Sequence, residues 1–124
     1  MPDTGKKIVL CVDDMPEVLM NINAILKNQY DVRSAIDIAS ALRVLETTHV
    51  DLLLLDIEMP EMSGIDFFAK LQKDARYQNI PVVFLTADTE NKTAQKAIKK
   101  GAKGYLTKPV SPAALLESVS FFFE

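Results

Sequence analysis

The sequence predicts a doubly wound α/β domain, and three observations carry that prediction. Short runs of β-branched and aliphatic residues without polar alternation recur along the chain, as strands buried on both faces require. Stretches of helical periodicity, about ten residues each, separate them and imply right-handed β-α-β crossovers, hence a parallel sheet with helices on both faces. Turn and cap residues mark the joins, so 124 residues resolve into five β/α units.

The clearest strand is VDLLLLDIEMP, residues 50–60, four leucines ending on Asp56 and broken at Met59-Pro60. Upstream, residues 7–13 (KIVLCVD) form a first strand that ends at Asp13-Asp14. Asp14 is placed to cap a helix whose first turn holds Pro16, with Glu17 as reciprocal partner and Val18, Ile22, Ile25 and Leu26 on one face. Residues 30–35 (YDVRSA) alternate as a strand nearer the edge, and Asp37 opens a second helix with Ile38, Ala41, Leu42 and Leu45 inward. After the central strand, Ser63 and Asp66 make a capping box for a third helix, with Ile65, Phe68, Ala69 and Gln72 as its inner stripe. Residues 80–86 (IPVVFLT) form a fourth strand with Pro81 near its start, where no ladder bond is lost. The next helix, residues 90–100, offers only Ala94, Ala97 and Ile98 to the core and is the least securely packed, which suits a moving part. Gly101 stops it, residues 104–108 (GYLTK) form a fifth strand, and Ser111-Pro112 open a last helix with Leu115, Leu116 and Val119 inward.

Composition narrows the function. At 48% apolar and 25% charged, residues 1–124 form one globular domain with a full core and no room for a second. A net charge of -3 and a pI near 5.2 leave no excess of cations for a nucleic-acid backbone, so nucleic acid is not expected as a direct partner. The single cysteine, Cys11, lies inside an apolar run and reads as a buried thiol. No segment approaches the roughly 20 apolar residues that cross a bilayer and the first residues carry no apolar signal core, so no membrane is implied and the expected location is cytoplasmic.

The chemistry gathers at the strand ends: Asp13 and Asp14 after the first, Asp56 after the third, Thr86 after the fourth, Lys108 after the fifth. All converge on the carboxyl edge, where open α/β sheets bind ligands. Three carboxylates there repel one another, and a hard divalent cation such as Mg2+ relieves them while leaving room for a phosphoryl group. Lys108 adds a fixed positive charge and Thr86 a hydroxyl, so that together with the metal they neutralise phosphoryl oxygens in transfer. Asp56, alone on the central strand, is the candidate nucleophile, forming an acyl phosphate.

With those residues in view the chain resembles the receiver domain of bacterial two-component response regulators, a CheY-like phosphoacceptor domain, over essentially its whole length. The motifs are VDDMPE at 12–17, LLLLDIEMPEMSGI at 52–65, PVVFLTA at 81–87 and KGYLTKPVSP at 103–112. The resemblance implies a flavodoxin-like sheet of order 2-1-3-4-5 with Asp56 as phosphoacceptor. It also implies direct Mg2+ contact from Asp14 and Asp56, contact through water from Asp13, and a third protein oxygen from the Glu58 backbone carbonyl. Lys108 would hold a phosphoryl oxygen, Thr86 would close on it, Ala87 would keep the entrance small enough for the donor to approach, and Lys108-Pro109 would be a cis peptide. Tyr105 occupies the family's switch position, moving inward with Thr86 and changing the face around the fourth helix and fifth strand. The implied partners are a sensor histidine kinase or phosphotransfer protein and a downstream effector.

Glu58 and Asp88, two positions beyond Asp56 and Thr86, flank the path of a water attacking the acyl phosphate and are assigned control of its lifetime. His49, at the opposite end of the central strand, reads as a solvated surface residue, and Lys96, Lys99, Lys100 and Lys103 as a solvated helix face. Phe121, Phe122 and Phe123 cannot all face inward on one helix, which suggests a homodimer contact or a chain cut from a longer regulator. The stretch DARYQNIPVVFLTA is similar to receivers joined to cyclic-dinucleotide enzymes. Three other functions fit less well. A haloacid-dehalogenase phosphatase needs its nucleophile on the first strand with a second Asp two residues on, a flavin- or nucleotide-binding module needs glycines where Asp13-Asp14 stand, and a pseudo-receiver scaffold needs no complete acidic and basic set.

Overall fold

The computed structural model of the chain describes residues 5–87 and 92–123. The apolar runs become strands β1 (Ile8–Val12), β3 (Leu52–Asp56) and β4 (Val82–Thr86), and the flanking ones β2 (Asp31–Ala35) and β5 (Gly104–Thr107). Every residue of β3 and β4 is buried, whereas β2 and β5 are mostly half-buried. That contrast follows from position, because the sheet runs β2-β1-β3-β4-β5 with β2 and β5 at its edges and every neighbouring pair parallel.

Parallel pairing requires crossovers, which α1 (Pro16–Leu26), α2 (Ile38–Thr47), α3 (Gly64–Gln72), α4 (Lys92–Lys99) and α5 (Pro112–Phe121) supply. Alternation along each strand then splits the core in two. Leu10, Val12, Leu53, Leu55, Val82 and Phe84 pack under α2, α3 and α4, with Phe68 edge-on to Phe84 at 5.5 Å. Val9, Cys11, Leu52, Leu54, Val83 and Leu85 face α1 and α5, where Leu19, Ile22, Leu26, Leu115 and Val119 close over them. Each such leucine buried contributes about 1.5–3 kcal/mol, so β3 alone anchors both layers.

Three caps match the sequence. The Asp37 carboxylate accepts the Ser40 amide at 2.7 Å, the Ser63 hydroxyl the Asp66 amide at 3.1 Å, and the Ser111 hydroxyl the Ala114 amide at 3.3 Å. Asp14, by contrast, caps nothing. The N-cap of α1 is Met15, without a side-chain cap bond, and it is Asp13 Oδ1 that accepts the Met15 amide at 2.9 Å. With Pro16 as the first helical residue, the cap position falls on residue 15, one place beyond Asp14.

The inner faces also differ in detail. In α1 the buried residues are Leu19, Ile22 and Leu26, with Val18 and Ile25 half-buried. In α3 they are Gly64, Phe67, Phe68 and Leu71, while Ile65, Ala69 and Gln72 are half-buried, so the helix is rotated by about one residue from the predicted stripe. Ala97 of α4 is buried as predicted, but Ile98 is 41% exposed. Glu90 and the side chain of Ala94 lie outside the described residues. Cys11 is fully buried, and of the terminal phenylalanines Phe121 is 74% exposed while Phe122 and Phe123 lean on the α1/α5 layer.

Candidate functional site

Parallel register brings the strand ends to one edge. Val12 pairs with Leu55 and Asp56 with Leu85, so Asp13 stands beside Asp56, and Thr86 pairs with Thr107, which puts Lys108 one step further on. The strand order reverses between β1 and β3, and the crevice at that point holds the acidic residues. Asp13, Asp56 and Thr86 are the buried polar side chains among the described residues, and Asp14 is exposed beside them.

Lys108 ties the edge together. Its Nζ donates to Asp13 Oδ2 at 3.2 Å and to Asp56 Oδ1 at 3.1 Å, while its backbone N–H donates to the Thr86 carbonyl at 2.8 Å. The Lys108-Pro109 peptide is cis. Asp56 Oδ1 also accepts the Glu58 amide at 3.2 Å, so the carboxylate is held from β5 and from its own loop. Ala87 follows Thr86 and is exposed, Tyr105 is half-buried against the α2/α3/α4 layer, and the Glu58 side chain is exposed. Asp88 lies outside the described residues.

Burial pushes the Asp56 carboxyl up to about 6; the hydrogen bond from Lys108 opposes that rise and the charge of Asp13 adds to it. For Lys108 burial works against the ammonium, yet its hydrogen bond to Asp56 and the charges of Asp13 and Asp56 prevail and hold it above its ordinary value. Burial, then the charges of Asp13 and Asp56, push the Cys11 thiol far up, so it stays protonated and unreactive. One ammonium thus pairs with two buried carboxylates, and a third, that of Asp14, lies exposed beside them.

One oxygen from each of Asp13, Asp14 and Asp56 lies within 4.8 Å of the others. Oxygens on opposite sides of a single Mg2+ ion stand about 4 Å apart, so small adjustments would bring all three onto one ion. An all-oxygen set with excess negative charge also suits a hard cation rather than a soft one. The residues therefore fit the metal. A groove of about 380 Å3, lined by Glu46, His49, Arg76 and Tyr77 among others, lies at the opposite ends of the strands. His49 is largely exposed there, with Nε2 3.5 Å from Asp51 Oδ1. Lys96, Lys99, Lys100 and Lys103 are exposed on and after α4.

Sequence reasoning missed one residue of this edge. Gly64 begins α3 in contact with the Asp56 backbone, and its amide donates to the Ile57 carbonyl at 2.7 Å. The available signal was a glycine directly after the N-cap serine, a place where helix propensity alone favours other residues.

A five-stranded parallel sheet of order 2-1-3-4-5 with its polar crevice at the β1/β3 reversal defines a flavodoxin-like domain. The chain belongs to the response regulator receiver domain family, whose profile matches residues 9–120, and is thus a receiver domain of the two-component type. It is 35% identical over 111 residues to a probable cyclic di-GMP phosphodiesterase of Vibrio cholerae serotype O1, an overlap of 90% of this chain and 25% of that protein. It is 33% identical over 115 residues to the phosphate regulon transcriptional regulatory protein PhoB of Escherichia coli K12, covering 93% of this chain and 50% of that one. The chain therefore spans between a quarter and a half of the length of these curated relatives. Among solved structures, Vibrio cholerae chemotaxis protein CheY4 superimposes with a TM-score of 0.87 at 28% identity, over 95% of this chain and 99% of that one. Among the described residues no helix is long and apolar enough to cross a membrane.

Proposed function

We propose that the chain is a cytoplasmic phosphorylation switch in which Asp56 accepts a phosphoryl group from a phosphohistidine of a sensor histidine kinase or phosphotransfer protein. The observation that carries this reading is the buried Asp56 carboxylate bridged to Asp13 by Lys108 Nζ at 3.1 and 3.2 Å. A carboxylate oxygen of Asp56 attacks phosphorus, the new O–P bond forms as the P–N bond breaks, and the electron pair leaves on the imidazole nitrogen. Lys108 is positioned to meet a phosphoryl oxygen once Asp56 carries the acyl phosphate, and the Thr86 hydroxyl closes from β4. The carboxylates of Asp13, Asp14 and Asp56 and the Glu58 carbonyl would hold Mg2+. When bound, Mg2+ supplies positive charge that offsets the carboxylates and the incoming phosphoryl oxygens. Ala87 leaves the entrance open to the donor. Tyr105 turns inward as Thr86 closes, and the α4/β5 face changes for a downstream effector or a second copy of the chain.

The test is incubation with acetyl phosphate and Mg2+. Wild type should gain the mass of one phosphoryl group and Asp56→Ala none; equal labelling of both would reject the reading.

Glu58 and Asp88 set the lifetime of the acyl phosphate in this scheme. Glu58→Ala and Asp88→Ala should each change the dephosphorylation rate, read by the decay of the labelled mass after the donor is removed. Unchanged decay in both would reject that role. Because the chain matches only part of its relatives, it is read as the receiver portion of a longer regulator. The similarity to a probable cyclic di-GMP phosphodiesterase supports a cyclic-dinucleotide enzyme as one class of effector.

A further inference from the structure

We infer that Gly64 is a positioning residue that fixes where Asp56 and Glu58 stand in the crevice; its role in transfer rests on the phosphoacceptor reading above. Gly64 is buried at the start of α3, and its amide closes residues 57–64 into a loop by donating to the Ile57 carbonyl at 2.7 Å. A Cβ built on Gly64 would overlap the Asp56 carbonyl oxygen and lie 3.0 Å from both the Asp56 carbonyl carbon and Ile57 Cα. All three neighbours are backbone atoms, which cannot swing aside as a side chain can. The demand is for the absence of a side chain, not for unusual backbone angles, since this glycine has no positive φ.

Any larger residue must therefore push the start of α3 away from the end of β3, and the loop with it. Asp56 Oδ1 accepts the Glu58 amide at 3.2 Å, so the carboxylate moves with that loop. Asp13 and Lys108 stand on other strands and do not follow. The outcome is a mismatch between nucleophile and lysine, and a displacement near 1 Å at a reacting centre lowers rates on the order of a hundredfold.

Gly101 provides the control. It sits after α4 with φ +117°, and a Cβ there would come no closer than 3.7 Å to any neighbour, so Gly101→Ala strains the backbone without crowding the crevice. The experiment compares wild type, Gly64→Ala and Gly101→Ala by hydrogen exchange of the Glu58 amide in metal-free protein, and by the rate of labelling with acetyl phosphate and Mg2+. In Gly64→Ala the Glu58 amide should exchange faster, and labelling should slow by about ten- to a hundredfold. Gly101→Ala should lose thermal stability while keeping the wild-type Glu58 amide and labelling rate. A wild-type amide and rate in Gly64→Ala, or equal slowing in Gly101→Ala, would overturn the inference. Should Gly64→Ala not fold, Ser63→Ala loosens the same helix start through its lost cap: faster Glu58 exchange with slower labelling supports the role, and wild-type values overturn it. The amide readout needs no phosphoryl transfer, so a wild type that is never labelled would reject the proposed function while the amide still decides the role of Gly64.

Discussion

Lys108→Ala is expected to lower the stability of the metal-free domain by about 2–4 kcal/mol at pH 7, because it leaves Asp13 and Asp56 buried without their shared ammonium. Breaking a buried pair ordinarily costs about 3–5 kcal/mol. Here proton uptake limits the loss, since Asp56 already titrates near 6 and can become neutral. Three consequences separate this account from simple loss of packing. The loss should shrink between pH 7 and pH 5, where Asp56 gains its proton in either protein. Mg2+ should stabilise Lys108→Ala more than wild type, because the variant holds the same carboxylates with less compensation. Labelling by a small phosphodonor should slow sharply. Urea unfolding of both proteins at the two pH values, with and without Mg2+, measures the first two; a loss within the about 0.5 kcal/mol typical of surface changes would contradict the account.

The second large effect has the opposite sign. Asp56→Asn should stabilise the metal-free domain at pH 7 by on the order of 2–3 kcal/mol, the penalty implied by a carboxyl whose ordinary value of 3.8 is pushed to about 6. The folded chain binds this proton more tightly than the unfolded chain. Stability from this group is therefore complete below pH 3.8, falls as pH rises toward 6, and stays low above it. This is the reverse of the usual salt-bridged aspartate, and the reason is that burial and Asp13 outweigh Lys108. Asp56→Asn should flatten that segment of the profile and weaken the response to Mg2+. An unchanged profile would show that Asp56 carries no such penalty. A buried carboxylate held at a cost to stability is common where function, not folding, selects the residue.

Most of the architecture was legible in the chain because it is written in burial. LLLLD and VVFLT contain no polar residue before their last position, and only a strand covered on both faces accommodates that. The acidic and basic set was legible for a related reason, since polar residues that end apolar runs fall together once the strands are parallel. What the chain withheld concerns contacts between backbones. Periodicity places the inner stripe of α3 one residue off because it weighs side chains, whereas the rotation of that helix turns Gly64, which has none, onto the Asp56 carbonyl. Asp14 passed as a cap on residue type, but Pro16 moves the cap position to Met15 and frees Asp14 to face the crevice. Spacing places Ile98 inward, yet in α4 it is Ala97 that is buried, and Ile98, one residue on, is left exposed. The pairing of Lys108 with both Asp13 and Asp56 could not be read from a separation of 95 and 52 residues.

In the proposed switch one carboxylate, that of Asp56, takes the phosphoryl group. Borohydride reduces an acyl phosphate to the alcohol, so treatment of the labelled chain followed by peptide mass spectrometry converts the acceptor aspartate to homoserine and reveals its position. The account predicts homoserine at position 56 alone, formed only when phosphodonor and Mg2+ are both present. Conversion at Asp13 or Asp14, a phosphoryl group retained on His49, or no conversion in a chain that has gained the phosphoryl mass would contradict it.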